Sequence, residues 1–116
     1  MYNIQFLDSA YDDLDQIYNF CNNISQNYAL KVRKQINESI NSLKLFPFAS
    51  SLYFKNIFRK KIVSKRYLII YTVINDTVFV YNIIDGRRNI KPTDLFKIPI
   101  FLLSNFLIYS NYLSNK

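Results

Sequence analysis

Apolar and polar residues alternate from Tyr2 to Phe6, the period of a β-strand. Ser9 then stands where a helix N-cap would, with Asp12 three residues on in a short version of the capping box. Asp12, Asp13 and Asp15 fall in the first turns, where the positive end of a helix favours them. Leu14, Ile17, Tyr18 and Cys21 follow at helical spacing and form one face. Asn22-Asn23 breaks this helix, and Ser25 or Asn27 can cap a second. The second helix is expected over residues 26–45, with Ala29, Val32, Ile36, Ile40 and Leu43 as its inner stripe. Pro47 closes it, because the residue before a proline is pushed out of the α region. Two helices joined so tightly form an antiparallel pair.

Residues 48–56 show no clear period. Three further strands are expected at residues 57–64, 67–74 and 77–84, where β-branched and aromatic residues concentrate. Asn75-Asp76 is a two-residue hairpin turn, since both residue types tolerate positive φ. Counting outward from it sets Tyr71 opposite Val80 and Arg66 opposite Asp85. Tyr67, Ile69, Tyr71 and Val73 then share one sheet face with Val78, Val80 and Ile84. Leu68, Ile70 and Ile74 share the other with Phe79, Tyr81 and Ile83. Both faces are apolar, and the helical pair covers one. The second is either covered as well or is an interaction surface. Gly86, the single glycine, ends the last strand and releases the chain into Arg87-Arg88.

The expected fold is α+β: an N-terminal strand, a helical hairpin, a three-stranded antiparallel sheet and an extra C-terminal apolar helix. Residues 1–91 make the domain and residues 92–116 an apolar extension. Pro92 and Pro99 punctuate that extension, and polar pairs interrupt its apolar run at residues 98–113. A membrane span needs about 20 predominantly apolar residues, more than this run offers. A helix packed on the open sheet face or on a partner fits it better.

Charge adds a direction to this outline. The formal net charge is +7, yet residues 1–27 carry acids only: Asp8, Asp12, Asp13 and Asp15. Residues 28–66 hold most of the bases and a single acid, Glu38. A basic middle opposite an acidic first helix makes a field able to steer an anionic partner, or else a solvated lysine-rich surface. Burial rests on aromatics, with 10 Phe and 10 Tyr. There is no histidine, which excludes imidazole chemistry, and the one cysteine, Cys21, sits on an apolar stripe as a small core residue. Zinc and haem sites are therefore not expected, nor is any cofactor. The N-terminus shows no export signal, so cytoplasm is the expected location.

Four pieces then point to a family. They are residues 10–22 with Asp13-Leu14 and Ile17-Tyr18, and the run Ser39-Ile40-Asn41-Ser42-Leu43 leading to Phe46-Pro47. Next comes Arg59 followed by Tyr67-Leu68-Ile69-Ile70-Tyr71, and last residues 80–84 followed by Asp85-Gly86-Arg87-Arg88-Asn89. In this order they resemble the RelE/ParE superfamily of toxins from type II toxin–antitoxin pairs, over residues 2–90. The resemblance implies growth inhibition, plasmid stabilisation and a cognate antitoxin that wraps the toxin. It implies one of two targets: messenger RNA in the ribosome, cut by RelE-like members, or DNA gyrase, poisoned by ParE-like members.

Cutting RNA with its own 2′-hydroxyl needs that oxygen activated, the phosphorane charge stabilised and the 5′-oxygen protonated. RelE-like enzymes are similar in carrying an arginine just after the first tyrosine of the strand at 67–71, where Leu68 stands here. They also use a tyrosine beyond the Gly-basic-Arg turn, where this chain reads Ile90-Lys91-Pro92-Thr93-Asp94. Only Arg88 matches, which favours the ParE-like branch. As a nuclease the chain would rely on Arg59, Lys61 and Arg88 as charge stabilisers. As a binding protein it would present Arg59, Lys60, Lys65, Arg66, Arg87, Arg88 and Tyr71 to a partner or nucleic acid. A third reading is a non-toxic interaction module of the same fold. The competing structural reading pairs Arg59 with an acid near its strand end and Arg66 with Asp85, and leaves Tyr67, Tyr71 and Tyr81 in the core.

Overall fold

A computed structural model describes residues 1–86. Strand β1 (Asn3–Phe6) leads into helix α1 (Asp8–Ile24) and helix α2 (Gln26–Leu43). Four strands follow: β2 (Ser51–Leu52), β3 (Arg59–Val63), β4 (Tyr67–Ile74) and β5 (Thr77–Asp85). The expected extension at residues 92–116, with its apolar helix, lies outside the described residues. So do Arg87 and Arg88.

The expected helical pair forms, and one residue joins its halves. Ser25 ends α1 and caps α2, its Oγ accepting from the Tyr28 N–H at 3.0 Å. Ala29, Val32, Ile36, Ile40 and Leu43 are all buried, as their spacing requires. The helix stops at Leu43, two residues earlier than expected, and Pro47 follows within one turn.

The sheet is larger than the three antiparallel strands expected. Its order is β1-β5-β4-β3-β2, with β1 parallel to β5 and the others antiparallel. The N-terminal strand is therefore a sheet member, and Ser51–Leu52 adds a short edge to β3. The helices pack on one face. Their inner stripe meets Val63, Tyr67, Ile69, Tyr71, Val78, Val80 and Ile83 in the main core. The second face is covered in its middle by the chain between β2 and β3. There Phe58 is buried against Ile70 and Tyr81, its ring edge-on to Tyr81 at 4.9 Å. Ile62, opposite Leu68 on this face, remains 58% exposed.

One bulge corrects the expected register. Tyr71 does oppose Val80, but Ile70 opposes Asn82, so Tyr81 is an extra residue in β5. Every residue beyond it is shifted by one. Ile83 therefore enters the helix-side core and Ile84 the opposite one, the reverse of simple alternation. Asp85 opposes Tyr67, not Arg66.

The bulge lies where β5 outruns β1, whose pairing ends at Val80. Backbone groups on that open edge need partners, and α1 supplies them. Ser9 Oγ donates to the Tyr81 carbonyl at 2.6 Å. Asp13 Oδ2 accepts from the Ile83 N–H at 2.9 Å and from Asn82 Nδ2 at 3.0 Å. Ser9 is thus not the N-cap; Leu7 holds that position without a side-chain cap. Ser9 and Asp13 are one helical turn apart, so both face the same strand.

Asp13→Ala is expected to leave the Ile83 N–H without its acceptor and to cost about 1–3 kcal/mol. A lower urea midpoint at unchanged slope would show it, and an unchanged midpoint would refute the role given to Asp13.

Candidate functional site

The basic residues of β3 and β4 do not form one patch. Arg59 opposes Tyr71, whereas Val63, at the other end of β3, opposes Tyr67 beside Arg66. Four residues of strand, about 13 Å, separate the two ends. Each end has its own chemistry.

At the first end, Arg59 and Tyr71 both reach back to the connection after α2. Tyr71 is 0% exposed, and its hydroxyl donates to the Pro47 carbonyl at 2.6 Å. It belongs to the core rather than to a contact surface, which corrects its expected place among partner-binding residues. Burial pushes its phenol above the ordinary value, against the opposing pull of Ser50 and Arg59. Arg59 Nη1 donates to the carbonyls of Ser50 at 2.7 Å and Phe48 at 3.3 Å, and the guanidinium lies 5.2 Å from the centre of the Phe48 ring. The pairing expected with an acid is replaced by bonds to backbone carbonyls.

At the second end, the structural reading of Arg66 holds. Its Nε lies 3.6 Å from Asp85 Oδ2, with both side chains 21% exposed. Its Nη1 donates to the Tyr28 hydroxyl, and its guanidinium lies 5.1 Å from the Tyr67 ring and 5.8 Å from Phe20. Tyr67 is buried with its hydroxyl 3.8 Å from Cys21 Sγ, so Cys21 is the core residue expected. Gly86 closes this end by donating its N–H to the Arg66 carbonyl at 2.5 Å. A Cβ at Gly86 would sit only 3.0 Å from that oxygen, so glycine is favoured by close approach rather than by its φ.

The lysines sit around these anchors. Lys61 shares the sheet face of Arg59, and Lys60 takes the opposite face with its ammonium 5.3 Å from the Tyr53 ring. Lys65 is not on the strand with Arg59 and Lys61. It lies exposed in the turn after β3, where Ser64 at φ 52° and Lys65 at φ 59° are both left-handed. They open the three-residue connection Ser64-Lys65-Arg66 between β3 and β4, a turn built here without the glycine or asparagine that left-handed positions favour.

The described residues offer few proton-transfer groups near these cations. Glu38 lies on the outer side of α2, 4.0 Å from Lys34 and largely exposed. Among the described residues no cluster of three or more His, Cys, Asp or Glu could hold a metal. What the described residues display is a surface of anchored arginines, lysines and apolar side chains. Sequence reasoning missed its most exposed component: Leu45, Phe46 and Phe48, at 59%, 67% and 56% exposure, project from the connection that Arg59 and Tyr71 secure. The signal was present as three large apolar residues around Pro47, with Leu45 off the inner stripe of the expected helix and Phe46 and Phe48 beyond its end.

Comparison with known proteins agrees with this architecture. The family model described as ParE toxin of type II toxin-antitoxin system, parDE, matches residues 4–90. Ten chains of solved structures match significantly. One, from the chromosomal ParDE TA system from P. aeruginosa, superposes with a TM-score of 0.65 at 20% identity, covering 73% of this chain and 96% of that one. At that identity the likeness speaks for the fold. No curated protein matches significantly.

Burial raises the phenols of Tyr18, Tyr67, Tyr71 and Tyr81 above their ordinary value of 10.0. Each then has a folded pKa above its unfolded one, so the stability tied to its neutral form is complete below about pH 10 and is lost as pH rises through the folded values. The urea midpoint is expected to show no tyrosine-linked loss below about pH 9.5 and to fall above it. Tyrosinate absorbance should show late-titrating phenols in the folded protein; ionisation of every tyrosine near pH 10 without unfolding would contradict their burial.

Proposed function

Because this chain belongs to the ParE toxin family of type II toxin–antitoxin systems, we propose that it arrests growth by poisoning DNA gyrase while unbound by its antitoxin. The family match carries this reading, and three features of the chain support the gyrase branch over RNA cleavage. There is no histidine, and Glu38 is turned outward beside Lys34. Leu68 occupies the strand position where the resembling nucleases carry an arginine, and packs instead in the second apolar cluster. Arg59, the first of the three charge stabilisers a nuclease would use, has Nη1 committed to the Ser50 and Phe48 carbonyls.

The function is thus binding: a rigid sheet with anchored arginines and peripheral lysines meets a protein–DNA machine in the cytoplasm. No helix among the described residues is long and apolar enough to cross a membrane. The cognate antitoxin covers the toxin and blocks that encounter. Arg87 and Arg88 follow Gly86 directly in the sequence. Paired arginines suit bidentate contact with carboxylate or phosphate.

Inducible expression in a bacterium, with transcript ends mapped and the DNA-damage response followed, tests this. The expected outcome is filamentation and gyrase-linked DNA breaks with intact messages. Codon-phased cuts in translated messages would overturn it in favour of a ribosome-dependent endonuclease using Arg59, Lys61 and Arg88. Normal growth would instead mark a non-toxic interaction module.

A further inference from the structure

The connection from α2 to β2 combines two properties seldom found together. Its backbone is fastened at many points, and its large apolar side chains point outward. The Lys44 carbonyl accepts from the Tyr2 N–H at 2.9 Å, the Phe46 carbonyl from the Ala49 N–H at 3.3 Å, and the Pro47 carbonyl from Tyr71 at 2.6 Å. Arg59 holds the Phe48 and Ser50 carbonyls. Pro47 is buried, while Leu45, Phe46 and Phe48 remain more than half exposed. A mobile loop would fold such side chains against the body of the protein. This one holds Phe48 edge-on against Tyr2 at 6.1 Å and still leaves more than half of its ring exposed. Rigid, exposed aromatic anchors are the usual centre of a protein interface, because little side-chain or loop freedom is lost on binding.

The charge around the patch says what kind of partner fits. Lys44 and Arg59 border it, and neither forms an ion pair among the described residues. Arg59 is only partly exposed and lies against the Phe48 ring, so a carboxylate meeting it there would be partly desolvated. A second copy of this chain fits poorly, since it brings the same cations and a net charge of +7. A chain that spends its life bound can carry such a patch without the aggregation that exposure invites.

We infer that Leu45, Phe46 and Phe48, framed by Lys44 and Arg59, form a docking site for the antitoxin, which seats apolar side chains on the patch and a flanking carboxylate on Arg59. The inference rests on the toxin reading and assigns one anchoring point within it. It makes Tyr71 a positioning residue and gives Arg59 two roles: its Nη1 holds the loop carbonyls, and the rest of its guanidinium meets the carboxylate.

The test is the affinity of the purified product of the adjacent antitoxin gene for the full-length protein and two variants. Phe46→Ser removes the most exposed ring of the loop and is expected to weaken binding about tenfold or more with an unchanged thermal midpoint. Leu45→Ser serves in the same way should Phe46→Ser alter folding. Lys44→Glu is expected to weaken binding about threefold or more at low salt, with the loss reduced at about 0.5 M salt. A change below about threefold for both apolar variants would overturn the inference. So would dimeric wild-type protein that Phe46→Ser converts to monomer without altering antitoxin affinity, because the patch would then serve a second copy. Failure of the wild-type chain to bind the adjacent gene product at all would refute the toxin reading itself, and the docking site with it.

Discussion

The architecture depends on how β5 is completed where β1 runs out. A strand edge that ends against a helix leaves amide and carbonyl groups facing protein rather than water, and each must be paired. Ser9 and Asp13 do this from one face of α1, reaching the Tyr81 carbonyl and the Ile83 amide. The contact does more than satisfy groups. It anchors α1 against β5, and Ser25 joins α1 directly to α2, so it helps set where the helical pair sits on the sheet. The extra residue at Tyr81 turns Ile83 toward those helices and leaves Ile84 on the far side. Register, core composition and helix placement are consequences of the same local arrangement.

Much of this was legible along the chain because it follows from short-range periodicity. The stripe from Ala29 to Leu43, the cap at Ser25 and the turn at Asn75-Asp76 all act within a few residues. What was illegible involves distant partners. Nothing in the alternation of β5 marks Tyr81 as supernumerary, since the bulge exists only relative to β4 and α1. Ser9 has the chemistry of a cap, and only the nearness of the Tyr81 carbonyl redirects it. The parallel pairing of β1 with β5 likewise has no signal within residues 2–6. For the same reason the short β2 edge and the covering role of Phe58 could not be read in advance.

The candidate site shows the same division. Cationic character was correctly visible as a property of the middle of the chain, but its grouping was not. Arg66 is absorbed by Asp85, Tyr28 and Tyr67, and Arg59 by backbone carbonyls, so the residue types best suited to binding anions act largely as internal fasteners. Lysines, which pack less readily into such roles, are left at the periphery. Residue identity indicated chemistry; geometry determined whether that chemistry faced inward or outward.

The pairing of β1 with β5 also bears on how the protein comes into being. Strand β1 is made well before β5, beside which it takes its place, and the bond from Ser9 to Tyr81 spans 72 residues. Contacts so distant in sequence must overcome the entropy of closing a long loop before they contribute anything, and they slow folding accordingly. The helical pair and the β3–β4 hairpin can form early, but the N-terminal strand has no partner until residue 80 or so has cleared the ribosome. A partly made chain therefore lacks its finished sheet, and its growing length acts as a timer on when the native surface first exists.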